Sequence, residues 1–139
     1  MQKLDELKLH HIGCVVANIE RSKMLYRDMM GFSRVGETIL VAAEKVAVCF
    51  IEIGNGVFLE LIESRDPNSP VANLLDQDIT YYHLAYAVDN IQHAIETLSR
   101  NHCKLRGQFA SEAFQHHQCA FMFSPEGHLF ELIELPEKS

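Results

Sequence analysis

The chain repeats itself. At an offset of 72 residues, His11–Ile19 (HIGCVVANI) falls on His83–Ile91 (HLAYAVDNI), with His, Val, Asn and Ile identical at four of nine positions. At an offset of 71, Leu59–Glu63 (LELIE) falls on Phe130–Glu134 (FELIE), and Gly56 falls on Gly127 at the turn before each. Two matches in the same order mark a duplicated module, with one residue gained or lost between its parts.

Each copy opens on a strand, since Leu9 to Val16 and Tyr82 to Val88 alternate in polarity. A helix follows each strand. Asn18 and Asn90 stand where N-caps belong, and Ile91, Ala94, Ile95 and Leu98 mark one face of the second helix. In the first helix the corresponding stripe is Ile19, Ser22, Leu25 and Met29, and Gly31 ends it. Val46 to Ile53, the turn Gly54-Asn55-Gly56, and Val57 to Ile62 form a hairpin. Its second copy is Cys119 to Phe123, the turn Ser124 to Gly127, and His128 to Ile133. One earlier strand per copy, near Ser33 to Leu40 and Cys103 to Ala110, completes a βαβββ order. The fold class is therefore α+β: two βαβββ modules, about 7–65 and 79–135, whose sheets form a shared cavity within a single domain, 1–139. The connector, about 66–78, is turn-rich, and Ser69-Pro70 is placed to start a short helix through Leu75.

Composition narrows the partners. Twelve basic against nineteen acidic residues leave a net charge of −7, which offers no footprint for nucleic acid or an anionic membrane surface. No apolar run reaches the ~18 residues of a membrane span, and the start, MQKLDELKLHH, has no greasy signal core. Cys14, Cys49, Cys103 and Cys119 form no CxxC pair, which suits core thiols in a reducing compartment. A mature, soluble, cytoplasmic protein is the expectation.

Four side chains conflict with their surroundings. Strand parity puts His11 with Leu9, Gly13 and Val15, His83 with Tyr81, Ala85 and Ala87, Glu60 with Phe58 and Ile62, and Glu131 with Leu129 and Ile133. A carboxylate desolvated on such a face costs several kcal/mol unless it is paired. One divalent cation resolves the conflict, because two neutral imidazoles and two carboxylates supply four ligands and cancel its charge. The alternative is that each His is a hydrogen-bonded strand residue and each Glu is exposed. Such mixed nitrogen and oxygen ligands admit Co, Ni, Mn, Fe or Zn. His10 is expected to point outward, and His116 and His117 to lie on a solvated strand edge. Lys45, Arg65, Lys104 and Arg106 are read as solvated, or as meeting a phosphate or carboxylate. HExxH, GxxxxGK and GxSxG motifs are absent.

The segments LHHIGCVVANIERSKMLYRDMMGF, GNGVFLELIESRDPNSPVANLL, YYHLAYAVDNIQHAIETL and AFMFSPEGHLFELIE resemble the vicinal oxygen chelate superfamily, which includes glyoxalase I, methylmalonyl-CoA epimerase, extradiol dioxygenases and antibiotic-resistance proteins. The resemblance covers nearly the whole chain. It implies metal ligands at His11, Glu60, His83 and Glu131, the four that parity and repeat single out. The GNG turn, ELIE and NSPVANLL look most like methylmalonyl-CoA epimerase and small bacterial glyoxalase I-like proteins.

That resemblance implies an enzyme moving a proton beside a carbonyl. First in order is an epimerase of a 2-substituted acyl thioester. Second is a glyoxalase I-like lyase acting on a thiol adduct, and third a binding or resistance protein without turnover. Glu131 is the implied base. Glu44 is the nearest carboxylate to a second base the epimerases carry before the third strand, although here that stretch reads VAAEKVAV and lacks their glycine. The partners implied are a small acyl-CoA, other thioester or thiol adduct, and a second copy of the chain in a homodimer.

Overall fold

The computed structural model of the protein describes residues 4–136. In chain order it holds β1 (Lys8–Val15), α1 (Ile19–Met24) with a π-helical turn (Leu25–Met29), β2 (Ile39–Val41), β3 (Val46–Gly54), β4 (Val57–Ser64), β5 (Tyr81–Val88), α2 (Ile91–Arg100), β6 (Lys104–Ser111), β7 (His117–Phe123) and β8 (Leu129–Glu134). This is the α+β, twice-repeated βαβββ order. Two compact units divide the chain: His11–Tyr82 forms the first, and the residues from His83 onward, joined by those up to His10, form the second. The division falls inside β1 and inside β5.

Each unit builds the same four-stranded arrangement. In the first, the order is β2-β3-β4-β1, with the β2–β3 and β3–β4 pairs antiparallel and β4–β1 parallel. In the second it is β6-β7-β8-β5, with the same senses. The hairpin between β3 and β4 turns through Asn55 and Gly56, both at positive φ (49° and 78°), as a two-residue loop matched to strand twist requires.

Strand parity sorts the two faces. On one face of the first sheet, Cys14, Ala47, Cys49, Ile51, Leu59 and Leu61 pack with Ile19 of α1. On one face of the second, Ala120, Met122 and Leu132 pack with Ile91, Ala94 and Ile95 of α2. Each helix thus covers one face and leaves the other to the residues of opposite parity. All four cysteines are free, and Cys14, Cys49 and Cys119 are buried. Burial pushes the Cys14 and Cys49 thiols above their ordinary range.

Three expectations need correction. The inner stripe of α1 is not Ile19, Ser22, Leu25 and Met29, because Leu25 is 42% and Met29 80% exposed. It is Ile19, Lys23 and Tyr26, with Lys23 buried and Tyr26 packed on the core. A lysine occupies the inner face by laying its methylenes on the core, while its ammonium reaches Glu20 at 3.5 Å. A polarity pattern cannot see this.

The strand expected over Ser33 to Leu40 is reduced to Ile39–Val41 and an isolated bridge from Val35 to Ile51. The cause is at Gly36, whose N–H donates to the Phe50 carbonyl at 2.9 Å and where a Cβ would lie 3.1 Å from that oxygen. From Gly36 beside Phe50 to Ile39 beside Val48 the chain carries one residue more than its partner strand, so pairing breaks.

The helix expected from Ser69 to Leu75 is instead a run of turns closed by i→i+3 bonds, such as Ala72 N–H to Ser69 O and Leu74 N–H to Val71 O, ending in a 3-10 turn at Leu75–Gln77.

Among the described residues no helix is long and apolar enough to cross a membrane.

Candidate metal centre

Each unit brings one imidazole and one carboxylate together. β1 and β4 run parallel with His11 beside Phe58 and Gly13 beside Glu60, so the His11 and Glu60 side chains share the face that α1 does not cover. His11 Nε2 lies 3.3 Å from Glu60 Oε1. In the second unit, β5 and β8 place Ala85 beside Glu131, and His83 Nε2 lies 3.3 Å from Glu131 Oε1. On the side of β1 and β5 the residue beside each carboxylate is small, Gly13 or Ala85.

All four are buried: His11 at 0% exposure, Glu131 at 4%, and Glu60 and His83 at 6%. The alternative of exposed glutamates is therefore wrong. The separation inside each pair is longer than the ~2.7–2.9 Å of a charge-assisted N–H···O bond. It matches two ligands of one ion, since donors about 2.1 Å from a common cation at 90–110° stand about 3–3.5 Å apart. Two imidazoles and two carboxylates make up a donor group that could hold a metal ion, and as neutral and anionic ligands they balance a 2+ charge.

An aromatic ring steadies each histidine. Phe50 of β3 lies opposite Glu60 in register, and its ring meets His11 edge to face with centroids 5.4 Å apart. Phe121 of β7 lies opposite Glu131 and meets His83 in the same way at 5.1 Å. These rings exclude water around the imidazoles, which strengthens electrostatics there. Sequence reasoning missed them, although the offset of 71 that links Glu60 to Glu131 also carries Phe50 onto Phe121.

The last glutamate of each ELIE segment has a second, structural task. Ile19 N–H donates to Glu63 Oε1 at 3.4 Å, and Ile91 N–H donates to Glu134 Oε2 at 2.9 Å. Asn18 and Asn90 cap the same helix starts, accepting from the N–H groups of Arg21 and His93. One repeated motif therefore offers a buried carboxylate on one face and, three residues on, an acceptor for a helix N-terminus on the other.

Glu44 ends a 3-10 turn (Ala42–Glu44) before β3 and is half-buried. His10 does not point freely outward, because its ring sits edge-on to the buried Phe114 at 5.3 Å. His116 is exposed, and His117 begins β7 half-buried. Lys45, Lys104 and Arg106 are exposed, whereas Arg65 lies 3.5 Å from Glu63.

The family profile of the Glyoxalase/Bleomycin resistance protein/Dioxygenase superfamily matches residues 10–128, and the chain belongs to that superfamily. Among its relatives, the mitochondrial methylmalonyl-CoA epimerase of Mus musculus is 28% identical over 95 residues, which is 67% of this chain and 52% of that protein. The match thus spans about half of the mouse protein's length. The mitochondrial methylmalonyl-CoA epimerase of Dictyostelium discoideum is 26% identical over 133 residues, 94% of this chain and 78% of that protein. The crystal structure of methylmalonyl-CoA epimerase from Mycobacterium tuberculosis superposes with a TM-score of 0.82 at 21% identity, over 99% of this chain and 94% of that one. That likeness fixes the fold.

Proposed function

We propose that the two His–Glu pairs together hold one divalent cation and that the protein epimerises a 2-substituted acyl thioester such as methylmalonyl-CoA. The observation that carries this reading is the buried His–Glu pair repeated once per unit, in a chain whose curated relatives are methylmalonyl-CoA epimerases.

A bound cation would supply Lewis-acid stabilisation of charge developing on the substrate carbonyl oxygen. The chain's own residues supply the rest. His11 and His83 offer neutral nitrogen donors, held in orientation by Phe50 and Phe121. Glu131 accepts the α-proton, and the electron pair of the broken C–H bond moves into the carbonyl as an enolate. Epimerisation requires the proton to return on the opposite face of the α-carbon, and Glu44 of the first unit is the second acid in this reading. Its place favours that role: a carboxylate ends the 3-10 turn before β3, whereas the matching turn before β7 ends in Phe114.

The free cysteines support a reducing compartment such as the cytoplasm, and the family resemblance supports a homodimer as the working assembly. The test is solvent exchange. In deuterated water, methylmalonyl-CoA should acquire deuterium at the α-carbon in step with loss of stereochemistry, dependent on added divalent metal. Glu44→Gln should lower kcat about 10²- to 10⁴-fold while metal content is unchanged. Absence of both exchange and epimerisation in the fully loaded protein defeats the proposal.

A further inference from the structure

The second unit has one residue on its ligand-bearing face that the first unit lacks. In the first unit, Arg34, Val35 and Gly36 run beside Glu52, Ile51 and Phe50 one for one: Glu52 N–H donates to Arg34 O, Val35 bridges Ile51, and Gly36 N–H donates to Phe50 O. In the second unit, Lys104, Leu105 and Gly107 lie beside Phe123, Met122 and Phe121, and Arg106 is the extra residue of a bulge between Leu105 and Gly107. Arg106 shares the parity of Lys104, so alternation already puts it on the face of Phe123 and Phe121, and the bulge adds it without displacing Gly107 from its place beside Phe121.

There Arg106 meets an aromatic ring. The Arg106 guanidinium carbon lies 4.4 Å from the centroid of the Phe121 ring, and the same ring touches His83 and faces Glu131 in register. One aromatic ring is therefore in contact with both the candidate metal-binding imidazole and an exposed cation. The matching stretch of the first unit carries Arg34. Arg34 is held by Glu52 at 3.3 Å, and the register position of Glu52 is taken in the second unit by Phe123, beside Lys104. The second unit thus replaces a carboxylate by a ring and adds a second cation.

A guanidinium stacked on a ring uses its π-face, and its N–H fork points along its own plane, the geometry that grips a carboxylate or phosphate with two hydrogen bonds. In a chain of net charge −7, a cation set against the ring that backs the ligand histidine selects for negative charge in whatever the site admits.

We infer that Arg106 anchors an oxyanion, a carboxylate or a phosphate, of the molecule processed beside His83 and Glu131, with Lys104 adding attraction from the same strand. This deepens the proposed function and rests on it for the class of molecule, an anionic acyl thioester.

Titration calorimetry on the metal-loaded, full-length protein tests it with two probes. Propionyl-CoA carries phosphates but no acyl carboxylate, and methylmalonyl-pantetheine carries the carboxylate but no phosphate. Arg106→Gln should weaken one probe about 10- to 100-fold, the loss expected for a charged, bidentate contact, and Arg106→Lys should retain part of that affinity. Loss confined to propionyl-CoA identifies a phosphate as the anchored group, and loss confined to methylmalonyl-pantetheine identifies the carboxylate. Equal affinity of parent and Arg106→Gln for both probes, or no binding of either probe by the parent, overturns the inference. Exchange of the α-hydrogen by the parent protein reports separately on the epimerase reading. Arg106-dependent probe binding without exchange would retain the anchor and discard the reaction.

Discussion

The two units share a frame of matched side chains and a strand order but differ in their helices and edge strands. His11 and His83, Glu60 and Glu131, Phe50 and Phe121, Glu63 and Glu134, and Asn18 and Asn90 occupy matching places. Yet α1 has six residues and runs into a π-helical turn, while α2 has ten, and β2 has three residues where β6 has eight. The kept residues are the buried His–Glu pairs, the rings against their imidazoles, and the side chains that accept from each helix start. The elements that diverged are edges and outer helix turns, where a change costs little. The repeat is held by the chemistry of one face and by the caps that fix each helix on the other.

Removing one of the four buried donors should have the largest effect. The parent protein should carry near-stoichiometric divalent metal by elemental analysis. Each of His11→Ala, Glu60→Ala, His83→Ala and Glu131→Ala should lose most of it, together with at least about 10²-fold of exchange activity. Retention in both variants of one unit would mean that the other unit's pair binds metal alone.

Leu61 and Leu132 are matched core residues, each with no exposed surface. If the units are equally packed, Leu61→Ala and Leu132→Ala should each cost about 2–5 kcal/mol in denaturant unfolding. A difference between them would rank the units by how far each core can close over the cavity.

The helix-start acceptors should give the smallest effects. Glu134→Ala should cost about 0.5–2 kcal/mol, and Glu63→Ala less, because its bond to Ile19 N–H is 3.4 Å against 2.9 Å at Ile91. Metal content should remain at the parent level in both, since neither is a ligand. Metal loss on either substitution would show that helix docking, and not strand register alone, positions the neighbouring glutamate.

Much of this was legible in the residues. The repeat located the four buried donors, because the period-2 pleat turns an isolated polar residue among apolar neighbours into a question about what neutralises it. It also placed Asn18 and Asn90 at helix starts, where a side-chain oxygen satisfies an otherwise unmet N–H. Other features were hidden. Lys23 on the inner stripe of α1 defeats a polarity pattern, and Gly36 interrupts a strand only through its approach to the Phe50 carbonyl.

The amino-acid order by itself determined the duplicated βαβββ plan and the identity of the donor residues, since both rest on local periodicity and on residue chemistry. Tertiary structure decided the 3.3 Å spacing within each His–Glu pair, the rings of Phe50 and Phe121 against the imidazoles, the attachment of Glu63 and Glu134 to the helix starts, and the bulge that lays Arg106 over Phe121. These depend on which strands pair and in what register, and contacts between residues tens of positions apart are fixed only when the chain has folded.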